Sequence, residues 1–197
     1  RITPNVKERE YLTEGEIRQL IEHEFSDATL AFTRDLFVFA CFTALSFADI
    51  RELTTDDIMD VNGEKWIISK RHKTGVPFQV KLLDIPLQII GKYRPFQKDN
   101  SVFGEINYWN VCKKLKKVIS ECGINKQISF HCSRHTFGTL ALSKGMPIES
   151  VSRVLGHTNI KTTQIYAKIT TQKLGNDLTA FGNQMNQTFD NIKVAGI

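Results

Sequence analysis

HCSRHTFGTL, residues 131–140, packs two histidines and an arginine into five positions at the point where a helical apolar pattern begins. Ser133 suits an N-cap, which puts Arg134 in the first helical turn and His131 three residues earlier, able to face the same space. The free amides of a first turn carry partial positive charge, so cations gathered there repel one another unless an anion offsets them. A phosphate would meet that need. The competing reading pairs Arg134 with a carboxylate elsewhere and makes His131 a structural histidine.

Downstream, VSRVLGHTNIKTTQIYAKI (151–169) ends one helix at Gly156, continues with His157, offers Thr158 as the cap of a further helix, and places Tyr166 nine residues after His157. Taken alone, Tyr166 reads as a helix tyrosine packed on the core. Running from the first segment into the second, ALSKGMPIESVSRVLG (141–156) reads as two helices joined by a glycine-containing turn, a unit that a DNA-reading repressor also uses.

The rest of the chain bounds what these segments can belong to. Its 197 residues, 41% apolar and 24% charged, suffice for one domain with a real core and a small appendage. The formal charge of +5 is compatible with a polyanionic partner. Cys41, Cys112, Cys122 and Cys132 lie far apart with no CxxC pair, so neither a zinc site nor a disulfide framework is indicated, and a reduced, cytoplasmic setting is expected. The longest unbroken apolar run, LFVFACF (36–42), is too short for a membrane span. The polar opening RITPNVKERE reads as a linker over residues 1–11, leading from a preceding domain.

Along the chain, Thr13 followed by Glu16 forms a capping box that starts an amphipathic helix. Residues Thr29 to Ala44 predict a second, nearly all-apolar helix whose only basic residue is Arg34. KWIISK and PFQVKL follow as two strand-like runs, with Phe78, Val80 and Leu82 alternating against Gln79 and Lys81, and RHKTGV (71–76) between them as a hairpin loop. LDIPLQIIGKY and NYWNVCKKLKKVISECG are helical again. The fold class expected is mainly α (α+β), with one small antiparallel sheet.

HCSRHTFGTL together with LGHTNIKTTQIY resembles the second signature box of the tyrosine recombinases, the phage-integrase family of DNA breaking and joining enzymes: HxxR, then LGH, then a tyrosine nine residues on. The resemblance covers about residues 11–170 and implies a helical catalytic domain over 12–170, followed by a C-terminal helix or tail over 171–197. In that family a tyrosine hydroxyl attacks a DNA phosphodiester, leaving a 3′-phosphotyrosyl link and a free 5′-hydroxyl, and no cofactor or metal is used. The resemblance makes Tyr166 the nucleophile, Arg134 the second arginine of the phosphate clamp, His131 an acceptor of the tyrosine proton, and His157 a donor to the phosphate. Such fixed donors are what a phosphorane with added negative charge requires. Lys73, in the KTG of the hairpin loop, takes the place of the lysine that protonates the leaving oxygen. Arg71, His72 and Thr74 beside it become DNA contacts.

One box departs from the pattern. Where the family has TGLRxxE, this chain reads TALSFADI, with Ser46 in place of the first arginine and Asp49 matching the acidic position that holds neighbouring catalytic side chains. A hydroxyl does not replace that charge. Arg34 is the first candidate to substitute, as a lone cation on a buried helix that needs an anion; Arg51 is the second. The alternative for Arg34 is a structural ion pair with Asp35. A box without its first arginine resembles the Bacteroides-type integrases of conjugative and mobilizable transposons. The resemblance implies double-stranded DNA attachment sites as substrate, a homotetramer on two duplexes, DNA-bending accessory proteins, no membrane, and a bacterial, nucleoid-associated place of action. The apolar set Leu174, Leu178, Phe181, Met185 and Phe189 would dock on a neighbouring protomer. Two rival functions are a type IB topoisomerase-like relaxing enzyme and a catalytically decayed DNA-binding protein.

Overall fold

Apolar residues on every face of one helix force it into the middle of the molecule. In the computed structural model, which describes residues 10–167, 171–188 and 190, that helix is α2 (Ala28–Thr43), with Leu36 to Ala40 buried as an unbroken run. Asp27 caps it by accepting the Thr29 N–H, and Ala44 ends it in the left-handed conformation at φ 57°. The chain forms two compact units, one reaching to Tyr166 and one starting at Ala167.

In the first unit, α1 (Glu14–Glu22) starts at the expected Thr13–Glu16 capping box and buries Ile17 and Leu20. It packs on α2, as do α4 (Asp84–Tyr93), α5 (Tyr108–Glu121) and α6 (Cys132–Ser143). Edge-to-face ring pairs join these layers: Phe37 with Phe130 at 5.8 Å and Phe39 with Phe103 at 5.0 Å. Each fully buried phenylalanine contributes about 1.5–3 kcal/mol of burial. α7 (Ile148–Leu155) follows α6 across the turn at Gly145 and Pro147 and closes at Gly156 with φ 67°. α8 (Lys161–Gln164) is one short turn, and it begins after Ile160 rather than at the expected Thr158 cap.

The sheet has three antiparallel strands in the order β1 (Ile58–Val61), β2 (Glu64–Lys70), β3 (Pro77–Lys81). Phe78 and Val80 turn inward as their alternation requires, and Ile67 pairs with Val80. The reading of two strands missed β1. Its signal is Asn62-Gly63, whose positive φ values of 55° and 81° make the two-residue turn between β1 and β2.

α9 (Thr171–Thr188) belongs to the second unit and exposes Leu174, Leu178, Phe181 and Met185; Phe189 lies outside the described residues. Among the described residues no helix is long and apolar enough to cross a membrane.

Arg34 is used by this core and not by a site. Its Nη1 donates to the carbonyls of Leu20, Ile21 and His23 at 2.5, 2.9 and 3.0 Å, and its Nε to Asp35 Oδ1 at 2.5 Å. The C-terminal end of α1, where unpaired carbonyls gather negative charge, is thus capped by a cation. Asp35 also accepts from Lys92 Nζ and Tyr93 Oη. The anion that a buried guanidinium demands is Asp35 together with three carbonyls, so Arg34 does not substitute for the missing arginine.

Candidate active site

Because α2 stops abruptly at Ala44, its last carbonyl is left without a helical donor. Two arginines supply one: Arg71 Nη1 donates to Ala44 O at 3.3 Å and Arg134 Nη1 at 2.5 Å. The second Nη2 of each arginine reaches the C-terminal end of α7, Arg71 to Val154 O and Arg134 to Leu155 O. Two guanidiniums from segments 63 residues apart therefore bridge the same two helix ends side by side. Each helix end contributes partial negative charge that favours cations there.

The residues around Ser46 explain how Arg71 is held. Ser46 caps α3 (Phe47–Arg51) with a second capping box, its N–H and Oγ both donating to Asp49 Oδ2. That oxygen also accepts from Arg71 Nη1 at 2.8 Å, and Oδ1 accepts the His72 N–H at 2.9 Å. Arg71 is only 6% exposed, lies over the Phe78 ring at 4.1 Å, and passes Gly156 so closely that a Cβ there would stand 3.0 Å from its Nε. Asp49 does hold a neighbouring cation, as expected of the acidic position. That cation is Arg71, which the sequence reading placed among the DNA contacts. Arg51, the second candidate, pairs with Glu52 at the surface.

Of the two guanidiniums only Arg71 is paired with a carboxylate, while Arg134 bonds carbonyls alone, so the cluster carries excess positive charge. Burial, followed by repulsion from Arg71, pushes Arg134 down to about 10. Burial and then the charges of Arg134, Arg71 and His131 push His157 below its ordinary value, favouring a neutral ring, whose Nδ1 lies 2.8 Å from Thr163 Oγ1. Burial alone would raise the Asp49 carboxyl, but bonds from the His72 N–H, Arg71 and Ser46 hold it lower than usual. A depressed carboxyl stabilises the fold above its unfolded pKa of about 3.9 and loses that contribution as the pH falls through the folded value. Asp49→Asn is accordingly expected to lower the urea midpoint at pH 7, with the gap to the parent narrowing below about pH 3.9.

The helix face of α6 completes the cluster. His131, not Ser133, is the N-cap position; the Ser133 hydroxyl instead donates back to Phe130 O. His131, Arg134, His135 and Gly138 fall on one side of this helix at its three- and four-residue spacings. The His131 and His135 rings meet edge to face at 4.7 Å. Tyr166 lies over this face, with its hydroxyl 2.7 Å from His135 Nδ1 and its ring against Gly138, where an added Cβ would be 2.7 Å from Cδ2. The geometry thus unites Tyr166, Arg134, His131 and His157 with Arg71 and Asp49. Lys73 and Thr74 stand exposed at the tip of the β2–β3 connection, which is closed by the Gly75 and Thr74 N–H groups donating to Arg71 O. His72 is exposed beside them, its backbone pinned to Asp49. The sequence reading counted His135 in the cluster but gave it no role, and Gly138 escaped it. The spacing of four between His131 and His135 was the available signal.

Known proteins share the sequence pattern and the fold. The model of the phage integrase family matches residues 10–173. Tyrosine recombinase XerA of Saccharolobus solfataricus is 31% identical over 139 residues, which cover 70% of this chain and 47% of that protein. XerA of Pyrococcus horikoshii is 32% identical over 136 residues, covering 64% of this chain and 47% of its own. The chain spans about half the length of these relatives. A crystal structure of XerA recombinase superposes with a TM-score of 0.68 at 24% identity, over 87% of this chain and 64% of that one. The Tn1549 transposon integrase in complex with circular intermediate DNA gives 0.70 at 16%, over 88% and 66%. With a matching fold, a family model spanning most of the chain and the tyrosine seated beside its arginine, this chain belongs to the phage integrase family, as a tyrosine recombinase catalytic domain.

Proposed function

We propose that this domain cleaves and rejoins double-stranded DNA at specific sites through a 3′-phosphotyrosine intermediate, and that the full protein integrates or excises a mobile element. The observation that carries the proposal is the pair of guanidiniums at Ala44 O, with the Tyr166 hydroxyl on the same helix face as Arg134. A phosphodiester entering there gains two forked cations, which bind its non-bridging oxygens and stabilise the charge that builds up on attack. Arg71, held by Asp49, supplies the cation missing at Ser46. His157 donates to a phosphate oxygen, and Lys73 at the hairpin tip protonates the leaving 5′-oxygen. The exposed apolar face of α9 supports docking on a neighbouring protomer, and the DNA-bound integrase with the same fold supports duplex DNA as substrate. Assembly as a tetramer and help from DNA-bending proteins complete the proposal.

The test captures the intermediate. The full-length protein is incubated with nicked duplexes that carry a randomised segment, and covalent protein–DNA adducts are isolated under denaturing conditions and sequenced. One enriched sequence, joined through Tyr166 and lost in Tyr166→Phe, is the expected result. Absence of an adduct from the parent protein overturns the proposal; adducts without sequence enrichment point instead to a topoisomerase-like relaxing activity.

A further inference from the structure

We infer that His135, one residue beyond the arginine of the HxxR box, accepts the proton of the Tyr166 hydroxyl during strand cleavage. The inference rests on the recombinase reading above and assigns the proton transfer within it to a residue outside the signature. His135 Nδ1 lies 2.7 Å from Tyr166 Oη, ordinary hydrogen-bond range. The imidazole is 6% exposed, and its ring is oriented by His131 at 4.7 Å and by the tyrosine ring at 5.5 Å. Among the described residues, the titratable groups it touches include His131 from the start of α6 and Tyr166 from the segment after α8, while the Arg134 cation directs its fork to Ala44 O and Leu155 O.

For Nδ1 to accept, the ring carries its proton on Nε2 and the phenol donates. In the step itself the Tyr166 O–H bond breaks and its proton moves to Nδ1. The oxygen's electron pair forms the new O–P bond, the bond from phosphorus to the 5′-oxygen breaks, and that oxygen takes the proton held by Lys73. On rejoining, His135 returns its proton to the departing phenol. A free phenol at about 10 and an imidazole at about 6.5 make full transfer unfavourable before attack. Transfer therefore accompanies attack, when the two guanidiniums stabilise the developing charge, and this is the situation in which a positioned base is effective. His131, with its ring edge-to-face on His135, is left to fix the orientation of the acceptor and to bond the phosphate.

The same adduct assay, run on the enriched site with the full-length protein, tests this. His135→Ala is expected to slow adduct formation by roughly 10²- to 10⁴-fold, the usual range for a general base. His135→Asn places a carbonyl oxygen near the Nδ1 position, so it can hold the hydroxyl without removing its proton, and it is expected to be as slow. Replacing Tyr166 by a fluorinated, more acidic tyrosine is expected to restore roughly tenfold or more of the rate in both variants while changing the parent little, because a phenol that ionises readily needs no base. A parent-like rate in His135→Asn would reduce His135 to positioning and overturn the inference. So would a loss that the acidic tyrosine does not repair. Both results leave the phosphotyrosine reading standing, since that falls only if the parent forms no adduct.

Discussion

Arg71→Ala is expected to slow adduct formation by about 10²–10³-fold, the loss usually seen when one fixed donor is removed from a site that stabilises a charged transition state. It is also expected to destabilise the fold. Arg71 is the partner of Asp49 in a buried ion pair, and breaking such a pair from one side costs about 3–5 kcal/mol because the other charge is left without compensation. Against a total stability of about 5–15 kcal/mol that is a large fraction, so rate and folding need separate readouts. The double variant Arg71→Met with Asp49→Asn separates them. It removes both charges, so its urea midpoint recovers much of the loss, while its cleavage stays as slow as that of Arg71→Ala. Arg71→Lys is expected to fall between parent and alanine, because an ammonium keeps the charge but lacks the fork that reaches Asp49, Ala44 O and Val154 O together. A parent-like rate in Arg71→Ala would mean that the phosphate is held without this residue.

The contrast between Arg71 and Arg34 shows what the sequence could and could not specify. Both are buried or nearly buried cations, but the argument that a buried charge needs an anion was applied to Arg34 alone, since Arg71 read as a DNA contact on a hairpin loop. The alternative named for Arg34, a pair with Asp35, is the ion pair the structure shows, whereas the helix-end carbonyls beside it and the partner of Arg71 were not foreseen. For Arg34 the distant part of the answer lies in the carbonyls at the end of a helix thirteen and fourteen residues earlier, beside the neighbouring Asp35, and for Arg71 in a carboxylate twenty-two residues earlier on the far side of a strand pair. Those separations close only when α1 folds back on α2 and when the sheet places the Arg71–Val76 loop beside α3. Local signals fared better: the Thr13–Glu16 box, the alternation of Phe78 and Val80, and the hairpin loop at 71–76 were all legible, since each depends on neighbours within a few residues. The spacing from His131 to Tyr166 was legible for a different reason, because it is a chemical pattern rather than a folding one. Ser46 looked like a loss. In the structure it caps α3 and donates to Asp49, so the residue standing where the arginine is missing helps to hold the guanidinium that arrives from the hairpin.

Gly138→Ala is expected to leave the fold as stable as the parent, or more stable by about 0.5–1 kcal/mol, while slowing cleavage by about 10²-fold. The two effects have different origins. Gly138 lies inside α6 at a helical φ, so alanine removes backbone freedom from the unfolded chain and fits the helix without strain. Its methyl, however, would stand 2.7 Å from Tyr166 Cδ2 and 2.9 Å from Cε2, inside contact distance, and something must move. Helix α6 is fixed by its packing on α2, whereas Tyr166 follows a single turn of helix, so the ring gives way. Displacing that ring by about 1 Å takes the hydroxyl out of line with the phosphorus and away from His135, and misplacement on that scale costs about 10²-fold in a reaction that depends on orientation. Thermal unfolding and adduct formation, measured on the same preparation, distinguish this from simple damage to the fold: a structural defect would lower both, and only a lost seat for the tyrosine lowers the rate alone. Gly138→Ser, with a side chain of similar bulk, should behave in the same way toward the ring.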